Sequence, residues 1–205
     1  MKYVNIGGTG LRASNIVMGC MRLSSLSKKE AEALVRAALE QGINLFDHAD
    51  IYGGGSCEEI FAEAAGMNGI LKRLHTDYLD ILLLHRPDPL MEPEEVAEAI
   101  ETLHRSGKVR YFGVSNQNPM QIELLQKYMP MPIAANQIQL SLACCTPISA
   151  GIHVNTGEEA AVDRDGSVLD YCRLNDITIQ PWSPFQYGFF GGVFLGSEKY
   201  PELNA

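Results

Sequence analysis

The sequence predicts an α/β fold built on a parallel sheet, in the arrangement of a (β/α)8 TIM-type barrel. Three observations lead there. Short apolar runs alternate with amphipathic helical stretches along the whole 205-residue chain, which is the pattern of successive βαβ units. The segments FDHADIYGGG (46–55) and DILLLHRPDP (80–89) are apolar runs that end in polar, ionisable residues, and a parallel barrel presents its chemistry at the carboxyl ends of its strands. DYLDILLLH (77–85) is apolar over most of its length, as expected of a strand covered on both faces.

The elements follow in order. YVNIGGTGLRAS (3–14) sets turn residues between two short extended segments, so a small β-hairpin is expected before the first parallel strand. NIVMGC (15–20) reads as that strand. Ser27 and Glu30 form the S-x-x-E capping box of a helix, and Ala31, Leu34, Val35, Ala38 and Leu39 share one face of it at helical spacing. Gly42 ends the helix and INLFD (43–47) is the next strand. Residues 58–66 are helical. Pro93, Glu94 and Glu95 open a helix whose inner face holds Val96, Ile100 and Leu103. KVRYFGVS (108–115) is a strand, and Asn118-Pro119 starts a helix carrying Ile122, Leu125 and Tyr128. IAANQIQL (133–140) is a strand. Residues 141–166, rich in Gly, Thr and acidic side chains, read as irregular. A helix from about Ser167 to Leu174 leads into a last strand, ITIQPW (177–182).

Parallel strands therefore begin near residues 15, 43, 79, 109, 133 and 177. A closed barrel of this class needs eight strands and roughly 250 residues. The interval from 43 to 79 is too long for one compact unit and too short for two. One incomplete barrel domain, residues 1–205, is the expected organisation, with no internal repeat and no low-complexity tract.

Composition narrows the function classes. Hydrophobic residues make up 46% and charged residues 20%, as in ordinary globular proteins. The net charge of −9 argues against nucleic acid and anionic membrane as main partners. The five cysteines are odd in number and form no CxxC, so free thiols in a reducing compartment are expected. MKYVNIGG has no apolar signal core, and no apolar run approaches the ~20 residues of a membrane span. The cytoplasm is the expected location. The oligomeric state is open.

Asp47, Tyr52 and His85 are the candidate catalytic residues. A tyrosine hydroxyl that donates a proton, a carboxylate that tunes it and a histidine that orients a carbonyl make a carbonyl-reducing site. Plainer readings stand beside this one. His85 reads equally as a core histidine, Asp47 as an acceptor for backbone N–H groups, and Tyr52 as a surface aromatic in a glycine loop. Asn116 reads as a helix cap and Trp182 as core. A metal site made of Asp47, His48, Asp50 and His85 is a rival, but no HxH or HExxH supports it. No metal is expected.

The segments NIVMGCMRL, FDHADIYGGG, RLHTDYLDILLLHRPDP, GKVRYFGVSN, ANQIQL and IQPWSPF, in this order and spacing, resemble the aldo-keto reductase superfamily over nearly the whole chain. In that family a Tyr-Asp-Lys-His set reduces aldehydes or ketones with a nicotinamide cofactor. The resemblance implies that Tyr52 is the general acid, with Asp47 five residues before it and His85 ending the fourth strand of the family. It implies that Ser115, Asn116 and Gln137 hydrogen-bond the nicotinamide carboxamide and that Trp182 stacks on the ring. Ser183 would approach the pyrophosphate, and Gly19, Cys20 and Met21 would lie beside the ribose. NADP(H) is expected ahead of NAD(H), with a small carbonyl compound as substrate. Phe185, Tyr187 and Phe189 are candidates for lining its pocket.

The chain departs from the family pattern in two places. The strand that ends in the catalytic lysine should lie between Tyr52 and Asp77, but the helix near 58–66 runs almost directly into GILKRLHTDYLD (69–80). Lys72 precedes the next strand on the helical side and is not a substitute. The segment that supplies the eighth strand and the adenosine phosphate contacts is not found after Asn204. A free tyrosine has a pKa near 10, and without a lysine the charge of Asp47 is expected to hinder phenolate formation. The expectation is therefore weak carbonyl reduction or none. The alternative is an impaired barrel that binds nicotinamide nucleotide as a sensor or subunit.

Overall fold

The computed structural model describes residues 1–65, 77–152, 167–186 and 192–204. Among these, the strands are β1 (Tyr3–Asn5), β2 (Arg12–Ser14), β3 (Met18–Gly19), β4 (Phe46–Asp47), β5 (Leu79–Leu84), β6 (Val109–Ser115), β7 (Ile133–Gln139) and β8 (Thr178–Trp182). The helices are α1 (Lys28–Glu40), α2 (Ser56–Ala64), α3 (Pro93–Arg105), α4 (Pro119–Gln126), α5 (Thr146–Ile152) and α6 (Val168–Leu174). β1 and β2 form the expected antiparallel hairpin. β3 pairs in parallel with β4. β5, β6, β7 and β8 follow one another in a four-stranded sheet, with β6–β7 and β7–β8 parallel.

The chain divides into two compact units: Met1–Asp80 with Ser106–Arg110, and Ile81–Arg105 with Tyr111–Ala205. In the first, α1 begins as its sequence requires. The Ser27 side chain accepts from the Glu30 N–H while Glu30 accepts from the Ser27 N–H at 2.8 Å, an arrangement that typically contributes about 1 kcal/mol. α1 ends at Gly42, whose φ of +81° suits glycine. Asn44 then ties the hairpin to the strand that follows. Its Oδ1 accepts from the Ser14 N–H at 2.7 Å, and its Nδ2 donates to the Arg12 carbonyl at 3.1 Å. The core of this unit gathers Cys20, Leu23, Ala31, Val35, Cys57 and Phe61. Leu34 and Leu39, expected inside, are about half exposed. The buried stripe of α1 is Ala31, Val35 and Ala38, narrower than the apolar spacing suggests.

In the second unit β7 is buried over Ile133–Ile138, as befits an inner strand flanked by β6 and β8. The register between β6 and β7 shifts between Phe112 and Val114, and Gly113 sits at that shift. A Cβ there would stand 2.5 Å from Leu83 Cδ2 and 2.7 Å from the Ala135 carbonyl oxygen, so the two backbones approach only because residue 113 has no side chain. α4 is capped by Asn118, whose side chain accepts from the Gln121 N–H at 2.9 Å while Gln121 returns the bond. Asn116 is therefore not the cap.

Several expectations shift. β3 and β4 are shorter than NIVMGC and INLFD suggested, because only Met18–Phe46 and Gly19–Asp47 pair as ladder partners. β5 is half-buried rather than covered on both faces, and Asp80 is exposed. α3 buries Pro93, Ala97 and Ile100, so Ala97 takes the inner position that Val96 and Leu103 were expected to share. α5 lies inside the stretch read as irregular.

Candidate active site

The first unit carries the candidate acid. β4 ends at Asp47, and the chain turns so that the Tyr52 N–H donates to the Ala49 carbonyl at 3.0 Å. Tyr52 opens a one-turn helix over Tyr52–Gly55 in which Gly53, Gly54 and Gly55 have φ of +58°, +64° and +91°. Three successive left-handed residues are accessible to glycine and costly to others. At Gly53 there is also no room: a Cβ would lie 2.7 Å from both the Ser24 and Ser56 hydroxyls. This mounting turns the tyrosine back toward the end of β4. The Tyr52 hydroxyl donates to Asp47 Oδ2 at 3.4 Å, a long bond at the weak end of the useful range. The ring packs half-buried against the unit's core, which sets aside the reading of Tyr52 as a surface aromatic.

Two neighbours define the surroundings of that carboxylate. The Cys20 N–H donates to the Asp47 carbonyl at 2.9 Å. Burial, assisted by the Asp47 carboxylate and the Cys57 thiol, pushes the Cys20 thiol up to about 12, so it stays protonated and unreactive. Of the loop expected beside a ribose, Gly19 and Met21 are exposed, whereas the Cys20 side chain is fully buried. His48 lies edge-on to Phe61 with ring centroids 4.6 Å apart. Both its ring nitrogens are buried without a hydrogen-bond partner, and burial lowers its pKa to about 4. It is a neutral packing residue. Asp50 is exposed. Among the described residues no group of three His, Cys, Asp or Glu side chains is placed to hold a metal.

The second unit gathers neutral hydrogen-bonding groups at the carboxyl ends of β6, β7 and β8. The Trp182 indole N–H donates to Asn116 Oδ1 at 3.1 Å. Asn116 Nδ2 donates to Ser115 Oγ at 2.9 Å. The Ser115 hydroxyl donates to the Gln137 carbonyl at 3.1 Å, and the Asn116 N–H reaches the same carbonyl at 2.8 Å. Asn116 and Ser183 have φ of +56° and +49°. Such backbone costs of order 1–3 kcal/mol each and is concentrated at functional sites. His85 directly follows β5 and is half-buried.

A cleft of ≈ 320 Å³ opens in the same unit, lined among others by Asn116, Gln117, Ile138, Gln139, Thr146 and Val168. Gln117 is 3% exposed, and its Oε1, like Gln139 Nε2, is buried without a partner. Neither glutamine was singled out from the sequence. The available signal was adjacency, since Gln117 follows the Ser115-Asn116 pair and Gln139 stands two residues after Gln137. Phe185 is exposed. Lys72, Tyr187 and Phe189 lie outside the described residues.

The aldo/keto reductase family model matches residues 15–69 and again 65–202. The chain belongs to the aldo/keto reductase family. The two pieces of the match meet where the lysine-bearing strand was expected and not found. Similar proteins include the uncharacterized oxidoreductase YcsN of Bacillus subtilis, 38% identical over 222 residues that cover 87% of this chain and 69% of the relative. The oxidoreductase YdhF of Escherichia coli is 36% identical over 183 residues, covering 69% of this chain and 61% of the relative. The chain thus spans about two thirds of the length of these relatives. The first alignment, at 222 positions, is longer than the 205-residue chain, so the relative carries stretches that this chain lacks. A thermostable aldo-keto reductase crystallised with the inhibitor epalrestat matches with a TM-score of 0.74 and 25% identity, covering 90% of this chain and 73% of the other. The fold is that of an incomplete (β/α)8 barrel, and an oxidoreductase role with a nicotinamide cofactor follows at the level of the family. Among the described residues no helix is long and apolar enough to cross a membrane.

Proposed function

We propose that this aldo/keto reductase reduces aldehydes or ketones to alcohols with NAD(P)H, NADP(H) ahead of NAD(H), and that Tyr52 supplies the proton. The observation that carries this reading is the Tyr52 hydroxyl on the Asp47 carboxylate at 3.4 Å, at the start of a turn whose left-handed backbone suits glycine. His85 is assigned to hydrogen-bond the carbonyl oxygen and fix its angle.

The residues of the second unit fit a nicotinamide. The groups offered by Ser115, Asn116 and Gln137 are a hydroxyl and two side-chain amides, which match a neutral carboxamide in charge and hydrogen-bonding type. Asn116 keeps one N–H and one lone pair beyond the bonds it makes to Ser115 and Trp182. The indole of Trp182 offers a flat ring for stacking. When bound, the cofactor supplies hydride. The chain's own residues orient the ring, hold the carboxamide and deliver the proton from the Tyr52 hydroxyl oxygen. The proposed setting is the cytoplasm, with a small carbonyl compound as partner and no nucleic acid or membrane.

A second reading rests on the lysine. The first lysine after Tyr52 is Lys72, which precedes the next strand. On this reading the protein binds nicotinamide nucleotide without turnover, as a sensor or subunit. Following NADPH and NADH oxidation with an activated aldehyde separates the two. Slow, saturable oxidation of either cofactor is expected. Tight cofactor binding with no oxidation would select the second reading.

A further inference from the structure

We propose that Asn116 is a positioning residue for Trp182, fixing the plane of its indole through a one-way hydrogen-bond relay across the ends of three strands. The significance of the fixed plane for cofactor stacking rests on the reading of Trp182 given above; the relay itself does not.

The direction of the relay follows from donor chemistry. An indole nitrogen only donates, so the Asn116 atom 3.1 Å from it must be the oxygen. The nitrogen of that amide then faces Ser115 Oγ at 2.9 Å. The serine hydroxyl must send its own proton onward, and the Gln137 carbonyl at 3.1 Å receives it. Each link leaves the next only one orientation. The sequence thus connects the end of β8 through the end of β6 to the backbone of β7.

The backbone supports the same conclusion. Asn116 adopts φ +56°, a conformation that asparagine tolerates better than most non-glycine residues. Its N–H is anchored on the Gln137 carbonyl at 2.8 Å. Side chain and main chain of Asn116 therefore both end on Gln137, which gives the indole an anchor on the buried inner strand β7. Trp182 is half-buried, and its indole N–H is held on Asn116 Oδ1 at 3.1 Å.

Trp182 is the sole tryptophan of the chain, so its fluorescence reports the relay directly and without cofactor. Asn116→Gly removes the acceptor while suiting the positive φ. Asn116→Asp keeps the oxygen that accepts from the indole, but sets an acceptor and a negative charge opposite Ser115 Oγ in place of the donor. In the cofactor-free protein, Asn116→Gly should lower the emission anisotropy and raise acrylamide quenching, with the ring released about fivefold toward other orientations, as expected for loss of one neutral hydrogen bond. Asn116→Asp should fall between wild type and Asn116→Gly, because it keeps the bond to the indole and loses the link that fixes its own plane. Unchanged anisotropy and quenching in Asn116→Gly would overturn the proposal, and Asn116→Asp matching wild type would overturn the relay beyond Asn116. Titration with reduced nicotinamide mononucleotide, read by the same emission, adds a separate arm. Wild-type protein that fails to bind it would remove the nicotinamide reading of the site, and the cofactor-free emission would still decide the relay.

Discussion

The two units of this chain handle polarity in opposite ways. The first concentrates ionisable groups, Asp47, Tyr52, His48 and Cys20, at and around the end of one two-residue strand. Burial keeps the His48 imidazole neutral, and burial with the Asp47 charge keeps the Cys20 thiol protonated, while the tyrosine opens a turn of three left-handed glycines. The second places neutral groups at the ends of β6, β7 and β8 and orders them by donor and acceptor direction. Proton chemistry needs a group whose charge can change, so it belongs to the first kind of surroundings. Holding a neutral amide and a flat ring needs dipoles that do not respond to pH, which the second kind supplies.

The largest structural effect belongs to the neutral side. Gly113→Ala drives a Cβ to within 2.7 Å of a backbone oxygen on β7, which cannot move aside as a side-chain tip can. A loss of about 3 kcal/mol in unfolding free energy is expected by chemical denaturation. A loss near zero would mean that the strands are not packed this closely.

Next comes His48, on the ionisable side. Its folded pKa of about 4 lies below the ordinary 6.5, so the unfolded chain binds the proton more readily. The stability is present above about pH 6.5 and is lost as pH falls toward 4. Because the ring is only partly buried, the loss between pH 7.5 and 5 is expected to be on the order of 1.5 kcal/mol. His48→Leu should flatten that slope, as read by denaturation at the two pH values. In contrast, Trp182 emission should stay constant from pH 5 to 8 in folded protein, since every member of its relay is neutral. A shift across that range would blur the distinction between the units.

Gly53→Ala is a smaller change of the same kind as Gly113→Ala. Strain at φ +58° and contact with the hydroxyls of Ser24 and Ser56 should cost about 1–2 kcal/mol. The hydroxyls are tips that can swing away, but Ser24 Cβ, 2.8 Å from the added methyl, must shift with its backbone. Turnover should fall further than stability, because Tyr52 is aimed by this turn. Equal melting with unchanged turnover would show that the turn does not aim the ring.

Much of this was legible in the residues. The S-x-x-E box gave the start of α1, Asn118-Pro119 gave α4, and the apolar runs at 79 and 133 gave β5 and β7. What escaped depended on neighbours far away in sequence. α5 was missed because a seven-residue helix inside a Gly- and Thr-rich stretch has too few turns to show a period. Leu34 and Leu39 were placed inside because spacing gives the direction of a face but not the width of what covers it. At the candidate site the individual residues were visible in their motifs. The bond between Trp182 and Asn116, 66 residues apart, was not, because it depends on a positive φ at Asn116 that no local pattern announces. Gln117 and Gln139 escaped because a glutamine is ordinarily a surface residue, and only the fold shows that these two end buried beside a cleft.

The central claim is that the Tyr52 hydroxyl delivers the proton. Its most direct test compares NADPH-dependent reduction of an activated aldehyde by wild-type protein and by Tyr52→Phe, with cofactor binding measured alongside. The phenyl ring keeps the packing and removes only the oxygen. A fall of about 10²-fold or more in turnover at unchanged cofactor affinity is expected from loss of a general acid. Equal turnover in the two proteins would contradict the account.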